Sequence, residues 1–290
     1  MLKNKVAVIT GASSGIGASL AQLLASRGAT VVLAARRKNK LDDIEARIRK
    51  EEGNVVGVKC DVSVREDAEE LIHYAVQEFG RIDILVNNAG RGHLGSVEDT
   101  TDQVIQSMFE VNVFSLWYTT RPALKYMKKQ NSGHIINIAS MAGKVGYPFN
   151  SAYVAAKHAC VGFTHALRQE LMETGIHASV VCPGGVLTEW AMVTEGGAMM
   201  PLFSQSGPIV KKIAEERRIA LPAIEGVKTP DEIAQAIVNS ILHPVPEVYT
   251  HKGSKEFALL TAQDRMKAEQ QQLPIVLGER QVYERVTGKK

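Results

Sequence analysis

The 290-residue sequence is poor in cysteine, and this shortage excludes two classes of protein. Its three cysteines, Cys60, Cys160 and Cys182, are widely spaced and contain no C-x-x-C pair. Neither a disulfide framework nor a zinc site is therefore indicated. His158 and His165 share a helical segment but have no third ligand at a familiar spacing. We expect a reducing compartment and no bound metal.

Long hydrophobic runs are also missing. No stretch reaches the roughly 18 apolar residues of a membrane span, and the N-terminus enters an apolar strand without the apolar region of a signal peptide. The formal charge is only +3, and the basic pairs are scattered among acidic residues rather than gathered in one stripe. The sequence thus predicts a soluble, cytoplasmic protein with no membrane span and no nucleic-acid partner.

What the sequence does contain is a regular alternation of short apolar runs with longer helical patterns. Strands that are apolar on both faces are buried on both faces, and their alternation with helices favours right-handed crossovers. We predict an α/β fold, a Rossmann-type doubly wound parallel sheet of about seven strands with helices on both faces. The predicted strands lie at 5–10, 30–35, 54–60, 82–87, 133–140, 177–184 and near 247–250, and the helices at about 15–28, 38–52, 64–79, 103–129 and 151–174.

No linker interrupts residues 1–252, which we expect to form one domain. Within it, residues 189–225 are rich in Met, Gly and Pro, show little helical periodicity and follow a strand end, so they are expected to form a substrate lid. The alternative for the lid methionines is ordinary core packing. Residues 253–290 are predicted to be a partly helical C-terminal extension, with helical spacing at 255–272, that contacts a neighbouring subunit or another partner or stays partly disordered.

The stretch TGASSGIG, residues 10–17, joins the first predicted strand to the first helix. Its glycines, Gly11, Gly15 and Gly17, allow positive φ and close backbone approach, while the helix N-terminus offers free N–H groups to a pyrophosphate. The spacing differs from G-x-G-x-x-G, and a merely tight turn is the alternative. In this strand-turn-helix context the loop predicts nucleotide binding.

The second predicted strand ends in Arg36-Arg37 rather than in an acidic residue. A guanidinium can pair bidentately with a 2′-phosphate, whereas an acidic side chain would accept from ribose hydroxyls. We therefore expect NADP(H) to be preferred, with NAD(H) also possible. The alternative is that both arginines are solvated charges. Asp61 suits an adenine amino group or a helix cap.

Tyr153 and Lys157 are four residues apart on a predicted helix, so their side chains share one face. A neighbouring ammonium favours phenolate and would lower the pKa of the phenol towards the range useful for proton exchange. Alone, such a pair is more often an ordinary amphipathic helix. Ser140 closes a strand thirteen positions earlier.

Together these motifs resemble the short-chain dehydrogenase/reductase family in its compact, single-domain form. The resemblance covers about residues 3–190 and rests on TGASSGIG, Asp61, NNAG at 87–90, Asn112, Ser140, Tyr153-x-x-x-Lys157 and PGGVLT at 183–188. It implies that Tyr153 exchanges a proton, that Lys157 also bonds the nicotinamide ribose, that Ser140 orients the substrate oxygen, and that Asn112 holds a water. The expected catalytic residues are thus Asn112, Ser140, Tyr153 and Lys157.

The motifs and the resemblance also give the remaining site residues. The expected cofactor-binding residues are Gly11, Ser13, Ser14, Gly15, Ile16, Gly17, Arg36, Arg37, Asp61, Val62, Asn88, Ala89, Gly90, Tyr153, Lys157, Pro183, Gly184, Val186 and Thr188. The expected substrate pocket comprises Ser140, Tyr153, His93, Leu94 and Met192.

The function expected from this resemblance is hydride transfer between NAD(P)H and a carbonyl or secondary alcohol of a small hydrophobic molecule. The family's helices corresponding to 103–129 and 151–174 pair in dimers and tetramers, so a homodimer or homotetramer is expected. A catalytically silent NADP-binding redox sensor is the alternative, and it would have no need of the complete set Asn112, Ser140, Tyr153 and Lys157. An epimerase or dehydratase is disfavoured by the glycine spacing.

Overall fold

A parallel sheet forms the centre of the computed structural model, which describes residues 2–192, 194–195 and 199–288. Residues 193 and 196–198 of the predicted lid, together with 289 and 290 of the extension, lie outside the described residues. The strands of the described sheet are β1 Val6–Thr10, β2 Thr30–Ala35, β3 Val55–Lys59, β4 Ile84–Asn87, β5 Gly133–Ile138, β6 Ile176–Cys182 and β7 Glu247–Tyr249. Their order is β3-β2-β1-β4-β5-β6-β7, and each neighbouring pair is parallel, which confirms the predicted fold class.

Helices cover both faces of this sheet, because its strands are apolar on both faces. The helices are α1 Gly15–Ser26, α2 Lys38–Lys50, α3 Arg65–Phe79, α4 Asp102–Phe109, α5 Ser115–Gln130, α6 Ser151–Glu170, α7 Met199–Arg217, α8 Pro230–Leu242, α9 Ser254–Gln263 and α10 Arg265–Thr287. One core contains buried side chains of α1, α2 and α8, and the other contains those of α3, α5 and α6. No helix among the described residues is both long enough and apolar enough to cross a membrane.

The strand order reverses between β1 and β4, which creates a crevice at their carboxyl ends. The chain leaves β1 towards β2 and β3 on one side and then returns to β4 on the other. In open α/β sheets, ligands bind at such a switch point. The glycine loop after β1 and the NNAG segment after β4 therefore meet at the place where a ligand is expected.

The predicted helix at 103–129 is interrupted by one wide turn. A π-helical turn, Glu110–Phe114, separates α4 from α5 and contains Asn112. The side chain of Thr101 caps the beginning of α4 by accepting from the N–H of Val104. A π-helical turn contains one residue more than an α-helical turn. The apolar spacing of about 3.6 residues does not reveal this extra residue, so the sequence predicted one regular helix. Wide turns of this kind occur frequently at functional sites.

The predicted lid contains far more regular structure than its composition suggested. A short 3₁₀ turn, Glu189–Met192, is followed by α7, so the expectation of little periodicity is wrong. Buried residues Met199, Leu202, Ser206, Val210 and Ile213 recur at helical spacing. Gly207 and Pro208 lie inside this pattern and concealed it.

The extension also forms helices, α9 and α10, and the helical part continues beyond the predicted 255–272 to Thr287. Asp264 separates the two helices and caps α10 by accepting from the N–H of Lys267. At Gly278 the two helices α10 and α7 approach closely, since a Cβ added there would stand 2.6 Å from Cγ2 of Val210. The extension thus packs on the lid helix of its own chain.

Candidate active site

The glycine loop after β1 leaves no room for side chains on its crevice side. Gly11 has a φ of +64°, and a Cβ there would lie 2.7 Å from Cα of Ala89. A Cβ at Gly17 would lie 2.6 Å from Nδ2 of Asn88. Both positions therefore require glycine, one for its backbone conformation and both for the close approach of NNAG.

The residues of NNAG hold this loop in place. The hydroxyl of Thr10 accepts hydrogen bonds of 3.0 Å from the amides of Asn88 and Ala89. The Asn88 amide group donates to the carbonyls of Thr10 and Gly11 at 2.9 and 3.1 Å. Asn87, the first residue of NNAG, is buried and donates to Oδ1 of Asn137 at 2.9 Å. These bonds join the ends of β1, β4 and β5.

The N-terminus of α1 points into the crevice without a side-chain cap. Ser14 precedes the helix, but its hydroxyl makes no cap hydrogen bond and instead accepts from Nη2 of Arg37 at 2.9 Å. The first N–H groups of a helix have no partner within the helix and carry the positive end of its dipole. Together with the glycine cradle, this arrangement fits the pyrophosphate of a dinucleotide.

Arg37, rather than Arg36, lies over the phosphate loop. Its guanidinium donates to the hydroxyl of Ser13 at 2.9 Å as well as to Ser14, and it pairs with Glu189 of the predicted lid at 3.0 Å. Lys40 joins the same carboxylate at 2.6 Å. These cations lower the pKa of Glu189, chiefly through hydrogen bonds from Lys40 and Arg37. A concentration of positive charge therefore stands where the second strand ends.

Arg36 and Asp61 lie on the other side of this strand end. The Arg36 side chain is 65% exposed, and its guanidinium is 3.8 Å from the Asp61 carboxylate. Asp61 accepts from the amide and hydroxyl of Ser63, so it forms a local turn rather than capping α3, whose N-cap is Val64. Val62 is buried beside it.

The PGGVLT segment after β6 closes the crevice from a third side. Pro183 accepts from the Met141 amide at 2.8 Å, and Gly184 donates to Nδ1 of His251 at 3.1 Å. Thr188 packs on the glycine loop, because a Cβ at Gly15 would lie 2.9 Å from its Cγ2. Val186 pairs with Lys228 in an isolated bridge, and Ile16 packs on the core below.

The four predicted catalytic residues converge beside the crevice. Tyr153 and Lys157 lie on α6 and are both buried, with Nζ of Lys157 5.7 Å from the centre of the Tyr153 ring. Ser140 follows β5, and its hydroxyl bonds the phenol of Tyr153. Nζ of Lys157 donates to the Ile138 carbonyl at 2.9 Å, which fixes the ammonium at the end of the same strand.

The electrostatics of Tyr153 differ from the expectation. Burial raises the pKa of Tyr153, and only the hydrogen bond from Ser140 opposes this rise appreciably. Burial also lowers the pKa of Lys157. The predicted lowering of the phenol pKa by Lys157 is therefore not seen, because both groups are removed from water and desolvation disfavours each charged form.

Asn112 has an unpaired oxygen directed at the same place. Its Nδ2 donates to the carbonyls of Arg91 and Met108 at 3.1 and 3.0 Å, whereas its buried Oδ1 has no hydrogen-bond partner among the described residues. A Cβ built on Gly90 would lie 2.9 Å from this Oδ1 and 3.3 Å from Nζ of Lys157. Glycine at position 90 therefore keeps a small space between an acceptor and a cation, which suits a water or a ligand hydroxyl.

The ring of Tyr153 contacts Trp190, a residue that the sequence did not single out. The two rings are 5.1 Å apart and inclined by 51°. Trp190 also fills the space beside Gly92. The backbone of Glu195 forms an isolated parallel β-bridge with the backbone of His93. His93 is buried, and burial lowers its pKa. The lid thus contacts the segment that follows NNAG.

The remaining pocket residues are divided between the interior and the surface. Leu94 belongs to a buried cluster beneath the lid, together with Ala191, Met199, Leu202, Val282 and Tyr283, whereas Met192 is 62% exposed. The sequence missed Trp190, Glu189 and the α10 residues of this cluster. Trp190 and Glu189 stand next to each other in the predicted lid and could have been noticed there. Nothing in the sequence indicated that they contact Tyr153 and Arg37.

A parallel sheet with a glycine-lined crevice at its switch point defines the class of Rossmann-type nucleotide-binding folds. Comparison with known proteins identifies the family: the sequence pattern of the short chain dehydrogenases matches residues 5–196, and the chain belongs to this family of oxidoreductases. It is 35% identical over 252 residues to the ketoacyl reductase HetN of Nostoc sp., covering 87% of this chain and 80% of that protein.

Two solved structures extend the similarity to the whole fold. A short chain dehydrogenase/reductase from Burkholderia phymatum, in complex with NAD, has a TM-score of 0.78 and 28% identity over 91% of this chain and 95% of its own. An alcohol dehydrogenase from Thermococcus sibiricus, complexed with 5-hydroxy-NADP, has a TM-score of 0.71 and 28% identity over 85% and 96%. Similar chains therefore bind either nicotinamide dinucleotide.

Proposed function

We propose that this chain transfers a hydride between a nicotinamide dinucleotide and the carbonyl or secondary alcohol of a hydrophobic small molecule, with Tyr153 exchanging the proton. One observation carries the proposal: the buried phenol of Tyr153 lies between Ser140 and Lys157 beside a crevice shaped for a dinucleotide. A silent NADP-binding sensor is not favoured, since it has no need of this arrangement.

The crevice residues fit the cofactor, which would supply or accept the hydride when bound. Gly11, Gly15 and Gly17 let NNAG and Thr188 pack closely on the loop, and the first turn of α1 would provide N–H groups for the pyrophosphate. NNAG and the 183–188 segment form the walls around the remainder of the dinucleotide. Residues 1–252 then form one dinucleotide-binding domain with 189–225 as its substrate lid.

Tyr153 is held in the state that can donate a proton. Burial keeps the phenol protonated near neutral pH, and the Ser140 hydroxyl both orients the substrate oxygen and bonds the phenolic oxygen. Once the proton has moved to the substrate oxygen, the ammonium of Lys157 stabilises the phenolate. A water between Oδ1 of Asn112 and Lys157 would allow the proton to be replaced from solvent.

The charges at the end of β2 support a preference for NADP(H) over NAD(H). Arg37 and Lys40 offer two cationic side chains beside the phosphate loop, and both are held there by Glu189. A 2′-phosphate can replace this carboxylate and form bidentate hydrogen bonds with Arg37. Release of Glu189 would also loosen the lid segment to which it belongs.

A homodimer or homotetramer remains part of the proposal. Ile105, Phe109 and Phe114 line an open apolar groove around the π-helical turn between α4 and α5. Two of these side chains, Ile105 and Phe114, are more than a third exposed. Pairing of such surfaces across a two-fold axis would bury them.

The decisive experiment is Tyr153→Phe in purified protein. Loss of reduced-cofactor absorbance is followed with NADPH against aldehydes, cyclic ketones, steroids and quinones, and dinucleotide affinity is measured separately by calorimetry. Because the phenol supplies the proton, we expect kcat to fall by about 10²- to 10⁴-fold while the dinucleotide Kd stays within about twofold.

Tyr126→Phe is the matched control. In this variant Tyr126, on α5, loses only its hydrogen bond with Nδ1 of His73 on α3. This variant should keep full activity. Turnover retained in Tyr153→Phe would exclude the phenol from the reaction and with it the proposed mechanism.

A further inference from the structure

His251, which the sequence did not single out, joins the end of β7 to the segment 183–188 that follows β6. The two parallel strands end in register, so the chain leaves both of them side by side. The ring of His251 is almost fully buried, and each of its nitrogens bonds one glycine of the segment. The Gly184 amide donates to Nδ1 at 3.1 Å, and Nε2 donates to the Gly185 carbonyl at 2.9 Å.

These partners of the ring are satisfied together in only one protonation state. A backbone N–H can only donate and a carbonyl can only accept, so Nδ1 is the unprotonated nitrogen and Nε2 the protonated one. The hydroxyl of Thr250 lies 2.9 Å from Nδ1 as a second donor. In an imidazolium, Nδ1 would also carry a hydrogen, which would face the N–H of Gly184. Thr250 can turn its hydroxyl to accept that hydrogen, but the Gly184 amide cannot accept, so protonation breaks the bond to the segment.

The histidine itself is held in place on both sides. A Cβ built on Gly184 would stand 3.1 Å from Cγ and Nδ1 of His251, so the ring packs directly on the glycine. The His251 carbonyl accepts from the hydroxyl and the amide of Ser254 at 2.6 and 3.2 Å. A Cβ at Gly253 would stand 1.9 Å from the carbonyl oxygen of Ala223, which leaves the backbone beside the histidine no room. We therefore expect the segment, rather than the histidine, to move when the bond is broken.

The segment that His251 holds is a wall of the crevice in which the dinucleotide is proposed to bind. At its start, the Pro183 carbonyl accepts from the amide of Met141, the residue after Ser140, at 2.8 Å. At its end, the segment packs on the glycine loop beside Gly15. A shift of the two glycines bonded to the ring would thus act on the wall between the proposed catalytic serine and the phosphate loop.

The charges around the ring do not compensate a proton on it. Glu225 interacts with the charge of His251: the pKa of this carboxyl is lowered first by its hydrogen bond from Lys228 and, to a smaller extent, by His251. Glu225 thus favours an imidazolium, whereas Lys228 and Lys252 oppose it, and among the described residues no acid bonds either ring nitrogen. The other titratable groups on the elements packed beside the ring are Cys182 at the end of β6, and Tyr249 and Glu247 on β7, the latter paired with Lys144 and His165.

We propose that His251 is a positioning residue that holds the 183–188 segment in its dinucleotide-binding shape only while its imidazole is neutral. This inference rests on the proposed function, because the segment belongs to the same site. Protonation in acid releases the Gly184 amide and weakens dinucleotide binding without a change in any of the proposed catalytic residues. By linkage, dinucleotide binding in acid then releases a proton from His251.

The test compares wild type with two variants of His251 and a matched control. His251→Asn keeps an acceptor near the position of Nδ1 but cannot be protonated, whereas His251→Phe keeps a ring and loses both hydrogen bonds. The control is His243→Asn, which changes an exposed histidine that follows α8. Calorimetric Kd and proton release are measured for NAD⁺ and NADP⁺ between about pH 5.5 and about pH 8. Protection of the Gly184 amide from hydrogen exchange is measured by NMR in the free protein, and thermal midpoints are recorded.

We expect the Kd of wild type and of His243→Asn for NAD⁺ to rise about tenfold from pH ~8 to pH ~5.5, with proton release on binding. NAD⁺ has no 2′-phosphate that titrates in this range, so its Kd reports on the protein. His251→Asn should keep its Kd within about twofold over the same range and release no proton. His251→Phe should bind about tenfold more weakly than wild type at pH ~8, with the Gly184 amide no longer protected.

The same pH dependence in His251→Asn as in wild type would overturn the inference, because no titratable group remains at this position. A wild-type affinity that is equal at both ends of the pH range would overturn it as well, and so would an unchanged protection of Gly184 in His251→Phe. Should His251→Phe fail to fold, the comparison of wild type with His251→Asn still decides.

The inference and the proposed function fail in different measurements. A pH-dependent affinity that His251→Asn abolishes, in a protein that transfers no hydride, would contradict the proposed function and leave this inference standing. Full turnover together with a pH-independent affinity would do the reverse. A chain that binds neither dinucleotide would contradict both.

Discussion

Single residues show most clearly how this site depends on contacts between distant parts of the chain. Arg37 and Glu189 are separated by about 150 positions, yet their side chains meet at 3.0 Å over the phosphate loop. Arg36, its sequence neighbour, points towards Asp61 and solvent. The sequence proposed both arginines as a 2′-phosphate site, and the geometry favours Arg37.

Arg37→Ala should therefore weaken NADP(H) far more than NAD(H). Charge-assisted hydrogen bonds to a phosphate contribute about 1.5–3 kcal/mol, so the Kd for NADP(H) should rise by roughly 10- to 150-fold. The Kd for NAD(H), which has no 2′-phosphate, should change by less than about threefold. Calorimetric titration of both dinucleotides measures the two values.

Two variants complete this experiment. Arg65→Ala, which breaks only an exposed pair with Glu69 on α3, should change neither affinity. Arg36→Ala should have a smaller effect than Arg37→Ala, because Arg36 does not contact the phosphate loop in this structure. Equal weakening of both dinucleotides by Arg37→Ala would show that the residue supports the loop rather than the 2′-phosphate.

The clustering of Ser140, Tyr153 and Lys157, the proposed catalytic residues, could be predicted from the sequence because their spacing is local. Tyr153 and Lys157 are brought together by one helical turn, and Ser140 and the glycines follow directly from strand ends. Glu189 and Trp190 could not be assigned in this way, since each meets the site only through a contact with another part of the chain.

At the scale of secondary-structure elements, the amino ends of β1 and β4 are joined by a buried ionic cluster. Asp83 is 3% exposed and accepts from Lys5 at 2.9 Å, from the Val6 amide at 3.0 Å and from two nitrogens of Arg81 at 2.7 Å. Burial by itself would raise the pKa of Asp83, but these hydrogen bonds lower it below its ordinary value. The cluster lies at the opposite end of the strands from the crevice.

Asp83→Asn should therefore destabilise the protein in a pH-dependent way. The folded pKa of Asp83 is lower than the unfolded value of about 3.9, so its stabilisation is fully present above that value and is lost as pH falls through the folded pKa. We expect a loss of about 2 kcal/mol in the free energy of unfolding at pH 7, which shrinks below pH ~4. Urea titrations at several pH values measure the difference.

Asp42→Asn is the matched control for this prediction. Asp42 pairs with Lys38 on the exposed face of α2, and both side chains are about half exposed. Exposed pairs contribute little, so this variant should unfold like wild type at every pH. A pH-independent loss in Asp83→Asn would show that the carboxyl acts through packing rather than through charge.

Elements were predictable where the hydrophobic pattern was uninterrupted. The β-strands and most helices follow from apolar runs and spacing, and they agree with the structure to within a few residues. The π-helical turn at Glu110–Phe114 and the helices α7 and α8 were not predicted. An inserted residue shifts the phase of the apolar pattern at the π-helical turn, and Gly207 and Pro208 break the pattern in α7.

At the scale of the whole molecule, the C-terminal extension and the lid form one packed unit. Gly278 of α10 rests on Val210 and Ser206 of α7, and Arg285 donates to Gln205 at 2.6 Å. Tyr283 also accepts from the Ser96 amide at 3.3 Å, which connects the unit to the segment after NNAG. Because each helix buries the other, we expect the two to open together.

Gly278→Leu tests this coupling. A side chain at Gly278 collides with Val210, and overpacking of this kind destabilises by about 1–3 kcal/mol. Amide hydrogen exchange in both α7 and α10 should therefore become roughly 5- to 150-fold faster, while β1, β4 and β5 keep their protection. Exchange measured by mass spectrometry on peptides from these segments gives the result.

Gly207→Ala is the control on the same pair of helices. A Cβ at Gly207 would meet open space, so this change should slow exchange slightly through the better helix propensity of alanine. Faster exchange confined to α10 in Gly278→Leu would mean that the lid helix is stable without the extension.

The sequence by itself determined the sheet, the nucleotide loop and the arrangement of Ser140, Tyr153 and Lys157, because strand burial, turn geometry and helical spacing are short-range properties of the chain. Only the tertiary structure decided which arginine covers the phosphate loop, that the wide turn holds Asn112, and that the extension covers the lid of its own chain. The first and the last of these features depend on contacts between residues about 70 to 150 positions apart, and such contacts are selected by the packing of the whole molecule rather than by any local pattern.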